Sequence, residues 1–140
     1  SLDQAMTLGE GSVYNEAAND LVIFTFGNGV PMALRAARTI ESEQGWQVRV
    51  VDLRWLAPLN DAFIAAQART AKSILVLDEG RKSAGVGDGV ITAIVEGGCC
   101  ATPMRRVVCA DTFTPLAGAA LLVLPGEADV AAAARELAKR

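Results

Sequence analysis

Along the chain, short runs of consecutive apolar residues alternate with stretches whose apolar positions recur every three or four residues. Leu21-Val22-Ile23-Phe24-Thr25-Phe26 is the first run, rich in β-branched and aromatic side chains and closed by Gly27-Asn28-Gly29. Continuous runs of this kind suit strands buried on both faces, as in parallel sheets. Val30, Ala33, Leu34 and Ala37 then fall at i, i+3, i+4 and i+7 and predict a helix, with Pro31 in its first turn and Gly45 as its stop. Val48 to Leu53 reads as a second strand. A helix comes next, capped by Asn60 or Asp61, set up by Pro58 and running to about Ala71. Ser73 to Leu77 reads as a third strand, followed by a loop from Glu79 to Gly89, a helix to about Glu96 and a turn at Gly97-Gly98. Arg105 to Cys109 reads as a fourth strand and Asp111 to Pro115 as a loop. After the apolar segment Leu121 to Leu124, a last helix begins near Pro125-Gly126, with Val130, Ala134, Leu137 and Ala138 as its apolar stripe.

Strands alternating with helices imply βαβ units and a mostly parallel sheet covered on both faces, joined by right-handed crossovers. Residues 1–19 are polar and irregular, punctuated by Gly9 and Gly11, and read as a linker or lead-in in which Val13-Tyr14 can add a short edge strand. Residues 20–140 carry no repeat or low-complexity stretch and read as one domain. With 140 residues, half of them apolar, the chain can bury roughly 70% of its unfolded surface, so neither a metal nor a disulfide is needed to hold it together.

Charge and composition narrow the function. A net charge of −3 and a pI near 4.9 argue against a nucleic-acid or anionic-membrane surface. No run of consecutive apolar residues approaches the ~18 of a membrane span, and Ser1-Leu2-Asp3 lacks the start of a signal peptide. The expectation is a cytoplasmic protein with no membrane or nucleic-acid partner. The start at Ser1 is consistent with a piece of a longer chain. There is no histidine, which removes Ser-His-Asp and Cys-His nucleophile activation, His-ligated zinc and the usual general base. The three cysteines, Cys99, Cys100 and Cys109, make no disulfide framework and suggest a reducing compartment. Cys109 reads as a small hydrophobe, whereas Cys99 and Cys100 are expected in an exposed turn.

In open α/β sheets, function collects at the carboxyl ends of the strands, where the strand order reverses. Four loops reach that edge: Gly27-Asn28-Gly29, Arg54-Trp55, Glu79 to Gly89, and Asp111-Thr112. A dinucleotide site is one reading of the first, with Asp52 as the acidic residue further on; however, Met32 stands where a third glycine belongs, and Pro31 removes a donor. A tight strand–helix turn is the other. Asp78 and Glu79 leave a strand in different directions, so a carboxylate dyad is not expected. Instead Glu79 is assigned to loop backbone, Arg54 or Arg81. The glycine run from Ser83 to Gly89 suits either an anion at a helix N-terminus or close contact with another domain, and the second is favoured.

Four segments taken together resemble one family. They are Asp20 to Gly29, the stretch Val51-Asp52-Leu53-Arg54-Trp55-Leu56-Ala57-Pro58-Leu59, Val76 to Gly80 with Ser83-Ala84-Gly85-Val86-Gly87, and Ala110-Asp111-Thr112 with Pro115. In this order and spacing they resemble the C-terminal domain of transketolase-like, thiamine-diphosphate-dependent enzymes. Among these, the match is best to the β-type part of the decarboxylating component of 2-oxo-acid dehydrogenase complexes. The resemblance covers about residues 20–139. It implies a three-layer α/β/α fold, with a mostly parallel five-stranded sheet and one antiparallel edge strand. It also implies a parent enzyme that uses thiamine diphosphate and magnesium to decarboxylate a 2-oxo acid and pass the acyl group to a lipoyl group, with the cofactor held by other domains. No catalytic, cofactor or metal residue is therefore assigned here. Gly27, Asn28, Gly29, Arg54, Glu79, Gly80, Gly85, Gly87, Asp111 and Thr112 are expected to face another domain or subunit, with Arg54 tying loops together. The partners implied are a homodimer or α2β2-type assembly and the lipoyl acyltransferase core. A free-standing flavodoxin-like module for an anion or nucleotide, and the C-terminal domain of another transketolase-like enzyme, stand as alternatives.

Overall fold

The computed structural model describes residues 7–139. Five strands form one sheet: β1 (Ser12–Tyr14), β2 (Leu21–Thr25), β3 (Val48–Asp52), β4 (Ile74–Arg81) and β5 (Met104–Cys109). Their spatial order is β1-β3-β2-β4-β5, with β1 antiparallel to β3 and every other pair parallel. Helices α1 (Gly29–Gln44), α2 (Asp61–Ala68), α3 (Val86–Ile94) and α4 (Glu127–Ala138) cover the two faces. The expected three-layer fold and its antiparallel edge strand are both present.

The alternation of side chains along each strand divides the core in two. Leu21, Ile23, Val48, Val50, Leu75 and Leu77 meet α1 and α4 on one face. Val22, Phe24, Val51, Ile74 and Val76 meet α2 and α3 on the other. All five residues of β2 are buried, which is why its first four, Leu21 to Phe24, read as an unbroken apolar run. Each such Leu, Ile, Val or Phe taken fully out of water contributes roughly 1.5–3 kcal/mol. α1 stops at Gly45, whose φ of 68° is the left-handed cap that glycine adopts at little cost. Asn60 caps α2 by accepting the Phe63 N–H, and its own amide donates to Gly9 O, tying the lead-in to the helix.

Several boundaries differ from the sequence expectation. β4 does not end at Leu77 but runs on to Arg81, because β5 continues to pair with it beyond Asp78 through an irregularity that matches Arg81 to Cys109. The loop expected over Glu79 to Gly89 shrinks accordingly, since α3 begins at Val86. α2 stops at Ala68 rather than Ala71, and α3 ends at Ile94 in a wide π-type turn over Val95–Cys99. That turn carries Cys99 into the core beside α2 and α3, so only Cys100 of the pair is exposed. On α4 the buried stripe is Val130, Ala131, Ala134 and Leu137, with Ala138 in solvent.

Residues Ala117–Ala138 are long and apolar enough, by length and composition, to qualify as a membrane span, although no single consecutive run suggested one. The stretch is divided in the fold. A 3-10 helix at Ala117–Leu122 is separated from α4 by Val123-Leu124-Pro125-Gly126. Asp129 then accepts the Gly126 N–H at the start of α4, whose charged side carries Glu127, Arg135 and Glu136.

Candidate functional site

Because β2 to β5 run parallel, their carboxyl ends share one edge of the sheet, and the ten residues singled out from sequence all lie along it. β2 is central, with β3 on one side and β4 on the other, so the loops after β2 and β4 flank the point where strand order reverses.

The organising residue near the carboxyl end of β4 is Asp78, which is 2% exposed. One oxygen accepts the Gly80 N–H at 2.6 Å and the other the Gly87 N–H at 2.8 Å, the latter in the first turn of α3. Glycine is required around it. A Cβ on Gly80 would stand 2.8 Å from Asp78 Oδ1, and one on Gly85 would stand 2.8 Å from Asp78 Oδ2 and from Arg81 O. A second carboxylate holds the loop from outside: Asp111, after β5, accepts the Ser83 N–H at 2.9 Å and the Ser83 hydroxyl at 2.6 Å. The Ser83 hydroxyl and then its N–H hold Asp111 below the ordinary carboxylate pKa, with Lys82 and Arg81 adding attraction. These bonds correct the assignment of loop-backbone binding to Glu79. Its neighbour Asp78 does that work, and Glu79 contributes its carbonyl, which lies 2.8 Å from the Cys109 thiol. Burial, followed by the charges of Glu79 and Asp78, pushes that thiol's pKa up.

The other predicted residues are held by their own loops. Gly27 has φ 54°, and Gly29 is pressed so closely on Thr25 that a Cβ there would land on the threonine hydroxyl. Gly29 N–H donates to Phe26 O and Val30 N–H to Gly27 O, while Pro31 has no donor, so the first turn of α1 offers little to an anion. Asn28 makes no side-chain cap. Arg54, at φ 57°, donates its N–H to Asp52 Oδ1 and pairs with Asp52 Oδ2 at 3.5 Å. Thr112 is exposed and lines an open depression of about 540 Å³ with Arg81, Ser83, Ala84, Asp111 and Phe113.

Sequence reasoning missed the character of the segment after β5. Phe113 is 96% exposed, Leu116 90%, Leu121 79% and Leu122 85%. Four large apolar side chains in ten residues stand in solvent directly after the rim, whereas single exposed apolar residues are ordinary. The signal available was the run Phe113 to Leu124 itself, too irregular for either a strand or a helix stripe.

The pattern of the family described as "Transketolase, C-terminal domain" matches residues 9–127. The chain belongs to that family. The pyruvate dehydrogenase E1 component subunit beta of Staphylococcus aureus is 31% identical to it over 137 residues, covering 96% of this chain and 41% of that protein. The subunit of the same name from Staphylococcus epidermidis is 31% identical over 126 residues, covering 88% and 38%. This transketolase C-terminal domain thus spans about two-fifths of the length of its curated relatives. Among solved structures, a split-gene transketolase described as an inactive beta4 tetramer superposes with a TM-score of 0.81 at 29% identity, over 99% of this chain and 44% of that one.

The cofactor that the family implies can be tested against these residues. Among the described residues no three acidic, cysteine or histidine side chains cluster where they could hold a metal ion. Both glycine loops spend backbone donors internally, on Asp78 and on the Phe26 and Gly27 carbonyls. Among the described residues, the two glycine loops therefore show no set of donors built for a diphosphate and its magnesium.

Proposed function

We propose that the chain is the C-terminal assembly domain of a thiamine-diphosphate-dependent 2-oxo-acid dehydrogenase, in which residues 20–140 contact other domains or subunits and residues 1–19 lead in. The parent enzyme, in the cytoplasm, decarboxylates a 2-oxo acid such as pyruvate and transfers the acyl group to lipoyl. Its cofactor and magnesium are held by parts of the enzyme outside these 140 residues. The observation that carries this reading is the exposed row Phe113, Leu116, Leu121 and Leu122 beside a carboxyl edge whose glycine loops are already closed by their own backbone and carboxylates. An edge built this way suits contact with a protein surface better than capture of a small anion, which counts against the nucleotide-module alternative. The predicted contact residues Gly27, Asn28, Gly29, Arg54, Glu79, Gly80, Gly85, Gly87, Asp111 and Thr112 form its rim. The lipoyl acyltransferase core and a homodimeric or α2β2-type arrangement are the partners this reading names.

The test is sedimentation velocity of the full-length enzyme carrying Phe113→Asp and Leu116→Asp. Burying a carboxylate at each position should shift the assembly to smaller species at least tenfold more readily; an unchanged dissociation midpoint counts against the reading. The likeness to a split-gene transketolase favours a second parent of the same family. Reductive acylation of a lipoyl domain separates the two, since a transketolase parent transfers a ketol unit between sugars instead.

A further inference from the structure

We propose that Asp78 is the positioning residue of this contact rim: its carboxylate occupies the start of α3 as a built-in anion and holds residues 80–87 in the shape that meets the neighbouring protein. The inference rests on the reading of the rim as a contact surface.

A glycine-bearing loop that leads into a helix N-terminus ordinarily accepts an anion from solution, because its N–H groups converge and the helix dipole favours negative charge. Here the position is filled from within. Asp78 stands at the end of an apolar stretch of β4, 2% exposed, with each oxygen taking a different loop N–H, Gly80 before the loop and Gly87 after it. The glycines are matched to that carboxylate, since added Cβ atoms on Gly80, Gly85 and Gly87 would lie 2.8, 2.8 and 3.3 Å from its oxygens. Fixing the two ends fixes what lies between. Ser83, at the outer tip, is then within reach of Asp111, and Ser83 and Asp111 line the depression that Phe113 borders. A hydrogen bond to a charged group is about twice as strong as a neutral one, which suits a staple holding an exposed tip against a partner. Asp78 touches no reacting group; it acts through the loop.

The experiment uses the full-length assembled enzyme and compares three substitutions by the concentration at which it dissociates. Asp78→Asn keeps the volume but sets an NH2 group against one of the two N–H donors; it should weaken association at least tenfold. Val107→Ala, in the core on β5 and 7% exposed, should lower thermal stability with less than a threefold change in association. Phe113→Asp reports on the contact surface without touching Asp78. If Phe113→Asp weakens association and Asp78→Asn does not, the assignment to Asp78 falls while the contact reading stands; if neither does, both fall. Should Asp78→Asn fail to fold, amide exchange on the unaltered enzyme decides. The Gly80 and Gly87 amides should exchange at least a hundredfold more slowly than that of exposed Ala84. Comparable rates overturn the proposal.

Discussion

Replacing Gly85 with alanine isolates the close approach of the loop to Asp78. At φ −84°, ψ 169° the backbone of Gly85 is extended and open to any residue. Alanine gains about 0.4–1 kcal/mol by restricting the unfolded chain, and loses a similar amount, up to about 1 kcal/mol, as the poorer helix N-cap. The two backbone effects cancel. What remains is steric, because the new methyl would sit 2.8 Å from the Arg81 carbonyl oxygen and 2.8 Å from Asp78 Oδ2. Overpacking of this kind costs roughly 1–3 kcal/mol. If the carboxylate yields, the Gly87 N–H loses a charged acceptor, which adds about 1.5–3 kcal/mol. A net loss of about 2.5–6 kcal/mol is expected when both effects act, or roughly 10–24 °C in melting temperature for a domain of this size. Urea and thermal unfolding followed by circular dichroism measure it. The control is Gly118→Ala, where an added Cβ meets nothing within 4 Å. Combining Gly85→Ala with Asp78→Asn should cost less than the sum of the two, because both act on one carboxylate. A loss for Gly85→Ala within about 1 kcal/mol of the Gly118 control, on the order of error for such comparisons, would refute the reasoning.

Other outcomes rest on the same geometry. Asp20, Glu43 and Asp111 are held below their ordinary pKa values, first by the Gln47 N–H, by Arg135 and by Ser83 respectively. A depressed folded pKa gives stability that is present above the unfolded values, 3.8 for the aspartates and 4.5 for Glu43, and is lost as pH falls through the folded ones. Melting temperature should therefore be flat down to about pH 5 and drop below it, and Asp20→Asn should flatten that acid limb. Alkylation with iodoacetamide at mildly alkaline pH, read by mass spectrometry, should label exposed Cys100 first; buried Cys99 should lag behind it, as should Cys109 with its raised pKa. Leu77→Ala, at 1% exposure, should cost roughly 2–5 kcal/mol. Leu122→Ala, at 85% exposure, should change unfolding by less than about 0.5 kcal/mol.

The βαβ order was legible because burial on both sheet faces leaves a periodic trace. Leu21 to Phe24 is apolar without a break, and Gly45 marks the end of α1 at the residue where the left-handed cap occurs. The errors cluster where tertiary pairing overrides local preference. Asp78, Glu79 and Gly80 look like loop residues, yet the neighbouring strand β5 keeps them in β4. Gly87 and Gly89 look like helix breakers, yet α3 starts before both. The Gly87 N–H has Asp78 to bond, and Leu59 lies 2.8 Å from where a Cβ on Gly89 would be. The π-type turn that buries Cys99 has no sequence signature beyond Gly97-Gly98. At the candidate site, the ten rim positions could be placed from sequence because strand ends can be. The exchange of roles between Glu79 and Asp78 could not, since which of two adjacent carboxylates points inward depends on strand register. The exposed apolar row after β5 was invisible for the same reason, because exposure is a property of packing.

Whether residues 110–124 are covered in the proposed parent enzyme decides most directly between a contact edge and a free one. Hydrogen–deuterium exchange of that segment, compared between the assembled full-length enzyme and the separate 140-residue chain, measures it. Strong protection of Phe113 to Leu122 on assembly, with little change at β2, is the predicted result. Equal, rapid exchange in both forms would contradict the claim that this edge meets a protein neighbour.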